Sequence, residues 1–195
     1  MKYRGVVFPL AGVLASLALG WFVFPMVLYR TESQPIGFNH AIHTGETNGM
    51  TCDMCHEFAE DGRFNGIPVI AKCAECHSTA LGSTETEKKL IEEFITPGKE
   101  IPWKVYSRQP DNAYFSHATH VTRGKLTCEE CHGPHGSSSE LPTYQVNRIS
   151  GYSRDIWGRN ISGVPSEPWE GMKMDRCVQC HTDRNMVDGC VACHK

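Results

Sequence analysis

Every cysteine of the chain belongs to one pattern, Cys-x-x-Cys-His, which occurs five times. The copies, numbered here as sites 1 to 5 in chain order, are Cys52-Asp-Met-Cys55-His56, Cys73-Ala-Glu-Cys76-His77, Cys128-Glu-Glu-Cys131-His132, Cys177-Val-Gln-Cys180-His181 and Cys190-Val-Ala-Cys193-His194. In this pattern the two thiols form thioethers with a c-type haem, and the adjacent imidazole is an axial ligand of its iron. The spacing therefore predicts five covalent haem c groups. A further haem held without cysteines would not be visible in this pattern.

Other uses of paired cysteines explain the pattern less well. A zinc site also uses Cys-x-x-Cys pairs but needs no histidine at the next position. A disulfide framework would not repeat one local spacing, and a thioredoxin-like motif is a single pair beside a βαβ unit. Only haem attachment accounts for the histidine that follows each pair.

A second set of histidines is available for the opposite side of each iron. It has five members, as many as there are sites: His40, His43, His117, His120 and His135. Histidine on both sides of every iron is therefore one prediction. Met172 or Met174 as a ligand, which would raise the potential of that haem, and an open sixth position are the alternatives.

Four of these histidines lie in an internal repeat. Phe38-Asn-His40-Ala-Ile-His43 precedes site 1, and Phe115-Ser-His117-Ala-Thr-His120 precedes site 3. Histidines three apart on a helical turn share a face, so one segment can serve two irons. We expect the first histidine of each pair to bind at the next site in sequence and the second at a different site. Sites 4 and 5, which start 13 positions apart, must hold neighbouring haems.

The elements that position these residues begin with an apolar N-terminal segment. Val6 to Leu28 contains 23 residues without a charge, about 35 Å of helix and enough to cross a bilayer. Lys2 and Arg4 precede it, which favours a cytoplasmic N-terminus. A cleaved signal peptide ending near Ala18-Leu19-Gly20 is the alternative, but the apolar run continues beyond it. A retained anchor is the prediction.

The rest of the chain is too poor in aliphatic residues to form an ordinary core, so haems would have to supply one. The predicted fold is mostly irregular with short α-helices, a multihaem cytochrome c with class III-like haem packing plus one N-terminal transmembrane helix. Residues 1–30 would be the cytoplasmic N-terminus and anchor, and residues 31–195 the pentahaem domain. Because haem c is attached outside the bacterial inner membrane, that domain is expected in the periplasm.

One ordinary helix is predicted from Thr84 to Ile95. Thr84 and Glu87 form a capping box, an apolar stripe follows at helical spacing, and Pro97-Gly98 ends the helix. We expect the stripe to pack inside the domain rather than against a partner.

The stretch from Gly133 to Glu170 shows no sustained period and is long for a plain loop. Its aromatic and arginine residues favour a protein interface, with cover for haem edges as the alternative; they are Tyr144, Arg148, Tyr152, Arg154, Trp157, Arg159 and Trp169.

Three segments carry a family resemblance: Gln34 to His43, Gly66-Ile67-Pro68, and Ile101 to Tyr106. They resemble the pentahaem subunit of alternative complex III and the multihaem cytochrome c subunit of Qrc, the menaquinone reductase complex of sulfate reducers. Met172-Lys-Met-Asp-Arg-Cys177, in place of a Met-Gly-Trp-Cys run, and an end at Lys195 without a longer tail favour the Qrc-like branch.

The resemblance implies a molybdopterin-family-like subunit, an iron–sulfur subunit and a polytopic quinone-binding membrane subunit as partners. In the Qrc-like reading, electrons pass from a soluble periplasmic cytochrome c3 towards menaquinone. In the alternative complex III reading, they pass from quinol to a cytochrome c or an oxidase. A third possibility is a tetrahaem-type quinol dehydrogenase, against which the fifth site and the repeats count.

No catalytic acid, base or nucleophile is expected. An enzyme with an open haem, as in multihaem nitrite reduction, commonly carries Cys-x-x-Cys-Lys, whereas all five sites here have histidine. The formal net charge is −3, and no nucleic-acid partner is expected.

Overall fold

Short elements make up the regular structure. The computed structural model describes residues 4–109, 111–151, 174–186 and 189–194. Its α-helices are Arg4–Ala18, Phe24–Leu28, His40–Thr44, Ile70–His77, Glu85–Leu90, Cys128–His132, Met174–Asp183 and Cys190–Cys193. Its π-helical turns are Leu19–Val23, Ile91–Ile95 and Ala118–Arg123, its 3-10 turns are Cys52–Met54 and His135–Ser137, and its strands are Tyr29–Glu32 (β1) and Tyr144–Asn147 (β2). The predicted fold of short helices with little sheet is confirmed.

The apolar N-terminal segment is helical from Arg4 to Leu28, with the π turn Leu19–Val23 inside it. Pro25 follows that turn and, as a proline, has no main-chain N–H to donate to it. The 24 residues Gly5–Leu28 are long and apolar enough to cross a membrane, and none of the scored span is buried. Lys2, which precedes this helix, lies outside the described residues.

A two-stranded ribbon begins where this helix ends. β1 follows the helix directly and pairs antiparallel with β2, with Tyr29 opposite Asn147. Arg148 then donates from its main-chain N–H to the Leu28 carbonyl at 2.8 Å and from Nε to the Val27 carbonyl at 3.1 Å. These carbonyls belong to the last helical turn, where no intrahelical donor remains. The ribbon therefore attaches the 133–151 stretch to the end of the apolar helix.

Neither strand was predicted from the sequence. Two residues predicted for an interface make contacts within the chain: Arg148 as described, and Tyr144, whose ring centre is 6.0 Å from Lys104 Nζ. The other members of that prediction, Tyr152, Arg154, Trp157, Arg159 and Trp169, lie outside the described residues, as do Met172 and Lys195.

The polypeptide forms one small apolar cluster of its own. Ile36, Ile70, Phe94 and Ile101 are each at most 8% exposed and pack together. Cys73, Leu90, Ile95 and Trp103 pack around them. Site 2 therefore packs against this cluster through Cys73.

The predicted helix at 84–95 is present as Glu85–Leu90 followed by Ile91–Ile95. Thr84 caps it, since its hydroxyl accepts from the Glu87 N–H at 3.2 Å. The helix stops where Gly98 adopts φ +63°, a conformation that glycine tolerates. The capping box is only half right, because the Glu87 carboxylate instead accepts from the N–H groups of Leu81 and Gly82, each at 2.8 Å. Phe94 is 5% exposed, so the stripe packs inside the domain as predicted.

Candidate functional site

All five Cys-x-x-Cys-His sites lie in helical turns. Site 1 begins in the 3-10 turn Cys52–Met54, and the others lie in or at the end of α-helices. The main-chain N–H of His56 donates to the Cys52 carbonyl at 2.8 Å, and that of His194 to the Cys190 carbonyl at 2.9 Å. Residues three and four apart share a helix face. Within a helix, the two sulfur atoms and the following imidazole of this pattern lie on one side, as covalent haem attachment requires.

Three pairs of imidazoles face one another at nearly the same separation. The distances between ring centres are 6.2 Å for His43–His77, 6.3 Å for His117–His132 and 6.1 Å for His120–His181. A metal–imidazole bond is about 2.0–2.1 Å and the ring centre lies about 1 Å further, so imidazoles on opposite sides of one metal have centres about 6 Å apart. The donor set and its spacing therefore fit an iron held between two histidines.

The described residues supply two ligands at each of these places. Within the described ranges, no group of three or more His, Cys, Asp or Glu side chains is placed to hold a metal ion. A porphyrin would contribute the four remaining ligands around each iron.

Hydrogen bonds orient the imidazoles. The Nδ1–H groups of His43, His56 and His120 each donate to a main-chain carbonyl at 2.8 Å, those of Asn39, Gly66 and Ser116 respectively. His77 differs, because its Nδ1–H donates to Glu87 Oε1 at 2.9 Å. A ring whose Nδ1 is committed in this way keeps Nε2 for a metal.

The phenylalanine of each repeat is in contact with both of its histidines. Phe38 meets His40 edge-on, at 4.8 Å between ring centres and 80°, and stacks on His43 at 4.5 Å and 17°. Phe115 repeats this arrangement with His117 and His120, at 4.8 Å and 89°, and 4.6 Å and 21°. The shared phenylalanine holds the two imidazoles in different planes, which lets one turn serve two sites. Both phenylalanines belong to the repeated motif, but the sequence alone did not indicate their contact with the histidines.

His40 and His135 lie near site 1. Burial lowers the pKa of His40, and the neighbouring His56 and His135 lower it further. Two bonds fasten the His40–Thr44 helix to the turn that contains His135: Ala41 N–H to the Ser138 carbonyl at 3.0 Å, and Thr44 Oγ1 to the Gly136 carbonyl at 2.5 Å. The distal positions at sites 1 and 5 stay a prediction.

No described imidazole lies at the spacing of the three pairs from His194. Met174, a candidate ligand from the sequence, is 66% exposed at the start of its helix, and Met172 lies outside the described residues.

Cysteines of different sites lie next to one another. Burial raises the pKa of the Cys128, Cys73, Cys131 and Cys177 thiols, and in each case the next largest cause is a thiol of another site. The partners, in the same order, are Cys52, Cys55, Cys180 and Cys193. These neighbours join sites 1 and 3, 2 and 1, 3 and 4, and 4 and 5. Together with the Lys72–Glu57 ion pair (2.7 Å between Nζ and Oε1) and the contacts described next, these neighbours give the five Cys-x-x-Cys-His sites the order 2, 1, 3, 4, 5.

Two further contacts connect neighbouring sites in this order, which we call the row of sites. Phe64 stacks 4.2 Å from His117 and 6.4 Å from His56, between sites 3 and 1. Arg184 donates to Cys180 Sγ and to Glu130 Oε2, both at 2.8 Å, between sites 4 and 3. Phe64 and Arg184 had no distinguishing signal in the sequence, and Glu87 was singled out there only as part of a capping box.

Comparison with known proteins agrees with this geometry. The family model "Cytochrome c3" matches residues 42–144, and "Cytochrome c7 and related cytochrome c" matches residues 113–195. The chain is also 37% identical, over 94% of its length and 87% of the relative's, to a protein of Nitratidesulfovibrio vulgaris (strain Hildenborough). That relative is described as the multiheme cytochrome c subunit of menaquinone reductase. The predicted resemblance is confirmed.

Proposed function

Since the chain belongs to the family of the multihaem cytochrome c subunit of menaquinone reductase, an electron-transfer cytochrome family, we propose that it is the membrane-anchored pentahaem subunit of such a complex. The observation that carries the proposal is the set of three imidazole pairs with ring centres 6.1–6.3 Å apart, each including the histidine of a Cys-x-x-Cys-His site.

In this proposal the ten cysteines hold five haem c groups, which supply reversible one-electron chemistry when bound. His56, His77, His132, His181 and His194 are the proximal ligands. His43, His117 and His120 are the distal ligands at sites 2, 3 and 4, by their ring spacing. His40 is the distal ligand at site 1, by its nearness to His56 and the match of its repeat to the one containing His117. At sites 2, 3 and 4 the two facing imidazoles would leave a bound iron no open position for a substrate, which favours electron transfer.

The row of sites gives the subunit two ends. Cys73 of site 2 packs against the cluster that contains Ile36, and Ile36 lies eight residues after the end of the apolar helix at Leu28. Eight residues reach at most about 28 Å, so we place site 2 at the end of the row nearest the anchor and site 5 at the other end.

The remaining assignments rest on the apolar N-terminal helix and on what the family resemblance implies. We propose that residues 1–30 anchor the subunit in the bacterial inner membrane and that residues 31–195 lie in the periplasm. The partners would be a molybdopterin-family-like subunit, an iron–sulfur subunit and a polytopic quinone-binding subunit. A soluble periplasmic cytochrome c would be the donor and menaquinone the acceptor.

The test is purification of the tagged full-length chain with its partners from native membranes. We expect intact mass spectrometry to show five haem additions. We also expect a reduced soluble periplasmic cytochrome c to drive reduction of a menaquinone analogue. A chain without covalent haem, or a haem-loaded complex that only oxidises the quinol, would refute the proposal.

A matched pair of variants tests the row. Replacing both Cys128 and Cys131 by alanine removes covalent attachment at site 3, in the middle of the row, and should slow quinone reduction. Ile149→Ala, at a position 80% exposed, should leave the haem count and the rate unchanged.

A further inference from the structure

One of the proposed ligand histidines is hydrogen-bonded to a carboxylate. The Nδ1–H groups of His43, His56 and His120 face neutral main-chain carbonyls. His77, the proximal histidine of site 2, instead faces the Glu87 carboxylate, with 2.9 Å between Nδ1 and Oε1. At site 2, therefore, a negatively charged carboxylate accepts the hydrogen bond from the proximal histidine.

The Glu87 carboxylate is fixed in this position. Its Oε1 also accepts from the Leu81 N–H and its Oε2 from the Gly82 N–H, both at 2.8 Å, and its side chain is only 10% exposed. A Cβ at Gly82 would lie 3.2 Å from Glu87 Oε2, so glycine gives the carboxylate room here. Both oxygens are occupied, and the charge cannot swing away from His77 without losing two main-chain bonds.

We propose that Glu87 is a positioning residue that lowers the reduction potential of the haem held at site 2, an inference that rests on the proposed function. A carboxylate that accepts from Nδ1–H makes the imidazole a more basic ligand. A more basic ligand stabilises ferric over ferrous iron, and the nearby negative charge acts in the same direction. The neutral carbonyls behind His43 and His56 do this more weakly.

The experiment compares Glu87→Gln with Glu85→Gln in the intact complex. Glutamine keeps the length and a carbonyl acceptor for the Leu81 or Gly82 N–H but removes the charge. Glu85→Gln removes the same charge from an exposed position two residues away. Potentiometric titration is followed by optical and electron paramagnetic resonance (EPR) spectra, with intact mass spectrometry counting the haems.

We expect Glu87→Gln to raise the midpoint potential of one component out of five, while Glu85→Gln moves none. Loss of a group that accepts a hydrogen bond from a ligand histidine typically changes metal affinity or activity about tenfold or more. A tenfold change in the ferric-to-ferrous preference corresponds to about 59 mV for one electron. The component that moves should be the one altered by His43→Met, which changes the opposite ligand at the same site.

The outcomes separate this inference from the function it rests on. If all five haems are retained and no component moves, or if the wrong component moves, the role of Glu87 is overturned and the electron-transfer function stands. A chain without covalent haem would overturn the function itself. If Glu87→Gln does not assemble five haems, Glu87→Asp keeps the charge one methylene further back. It should give a smaller upward shift, and an unmoved titration would overturn the inference.

Discussion

Replacing His117 with alanine should convert one haem of the five from low to high spin. His117 faces His132 with 6.3 Å between ring centres and 11° between ring planes, while His120, three residues later, faces His181. Removing the His117 ring therefore leaves site 3 with one axial imidazole and leaves site 4 unchanged. The thioethers at Cys128 and Cys131 should retain the haem.

The size of the effect follows from one imidazole serving one iron. The His117→Ala variant should lose the low-spin signal of one haem, and the double variant with His120→Ala that of two. The assay is spin-quantified EPR on the purified full-length chain, with mass spectrometry to confirm five haems. His117→Met is the control, because a thioether refills the sixth position; it should keep the low-spin signal and raise the potential of that haem.

Spin state is a better readout than activity or stability here. Phe64 stacks on His117 at 4.2 Å, so alanine also leaves a void and should lower the unfolding midpoint. An unchanged low-spin signal in His117→Ala, or a double variant that loses no more than the single one, would refute the assignment of the two rings to two irons.

Two further predictions concern the polypeptide around the sites. Phe94→Ala should lower the free energy of unfolding by about 3–5 kcal/mol, because Phe94 is 5% exposed in the apolar cluster. Denaturant titration measures this change, and the exposed control Ile149→Ala should change the free energy by no more than about 0.5 kcal/mol. Equal effects of the two substitutions would contradict the packing. The hydrogen bond from Lys104 holds the pKa of Glu32 below its ordinary value of 4.5, so this contact stabilises the fold above pH 4.5 and the stabilisation is lost as the pH falls through the lowered pKa. Lys104→Met should therefore make the acid loss of stability shallower below pH 4.5, and an unchanged acid limb in pH-dependent unfolding would rule the contact out as its cause.

Features carried by neighbouring residues were predictable from the sequence. The attachment sites, the apolar N-terminal helix and the helix at 84–95 each depend on residues within a few turns of one another. The expectation that each histidine pair serves two sites also came from local spacing. The ring distances of His117 to His132 and of His120 to His181 agree with it. In these cases the chemistry and its geometry lie in one short segment.

Only the tertiary structure decided how the segments meet. The order of sites 2, 1, 3, 4, 5 depends on thiols such as Cys52 and Cys128, which are far apart in sequence, and β1 pairs with a strand more than a hundred residues away. The hydrogen bond from His77 Nδ1–H to the Glu87 carboxylate depends on the turn that brings the start of the Glu85–Leu90 helix back to a residue ten positions earlier. Local spacing sets which face a side chain occupies, but the packing of distant segments sets what that face meets. The sequence alone therefore indicated the candidate ligands, and the tertiary structure decided how they are arranged.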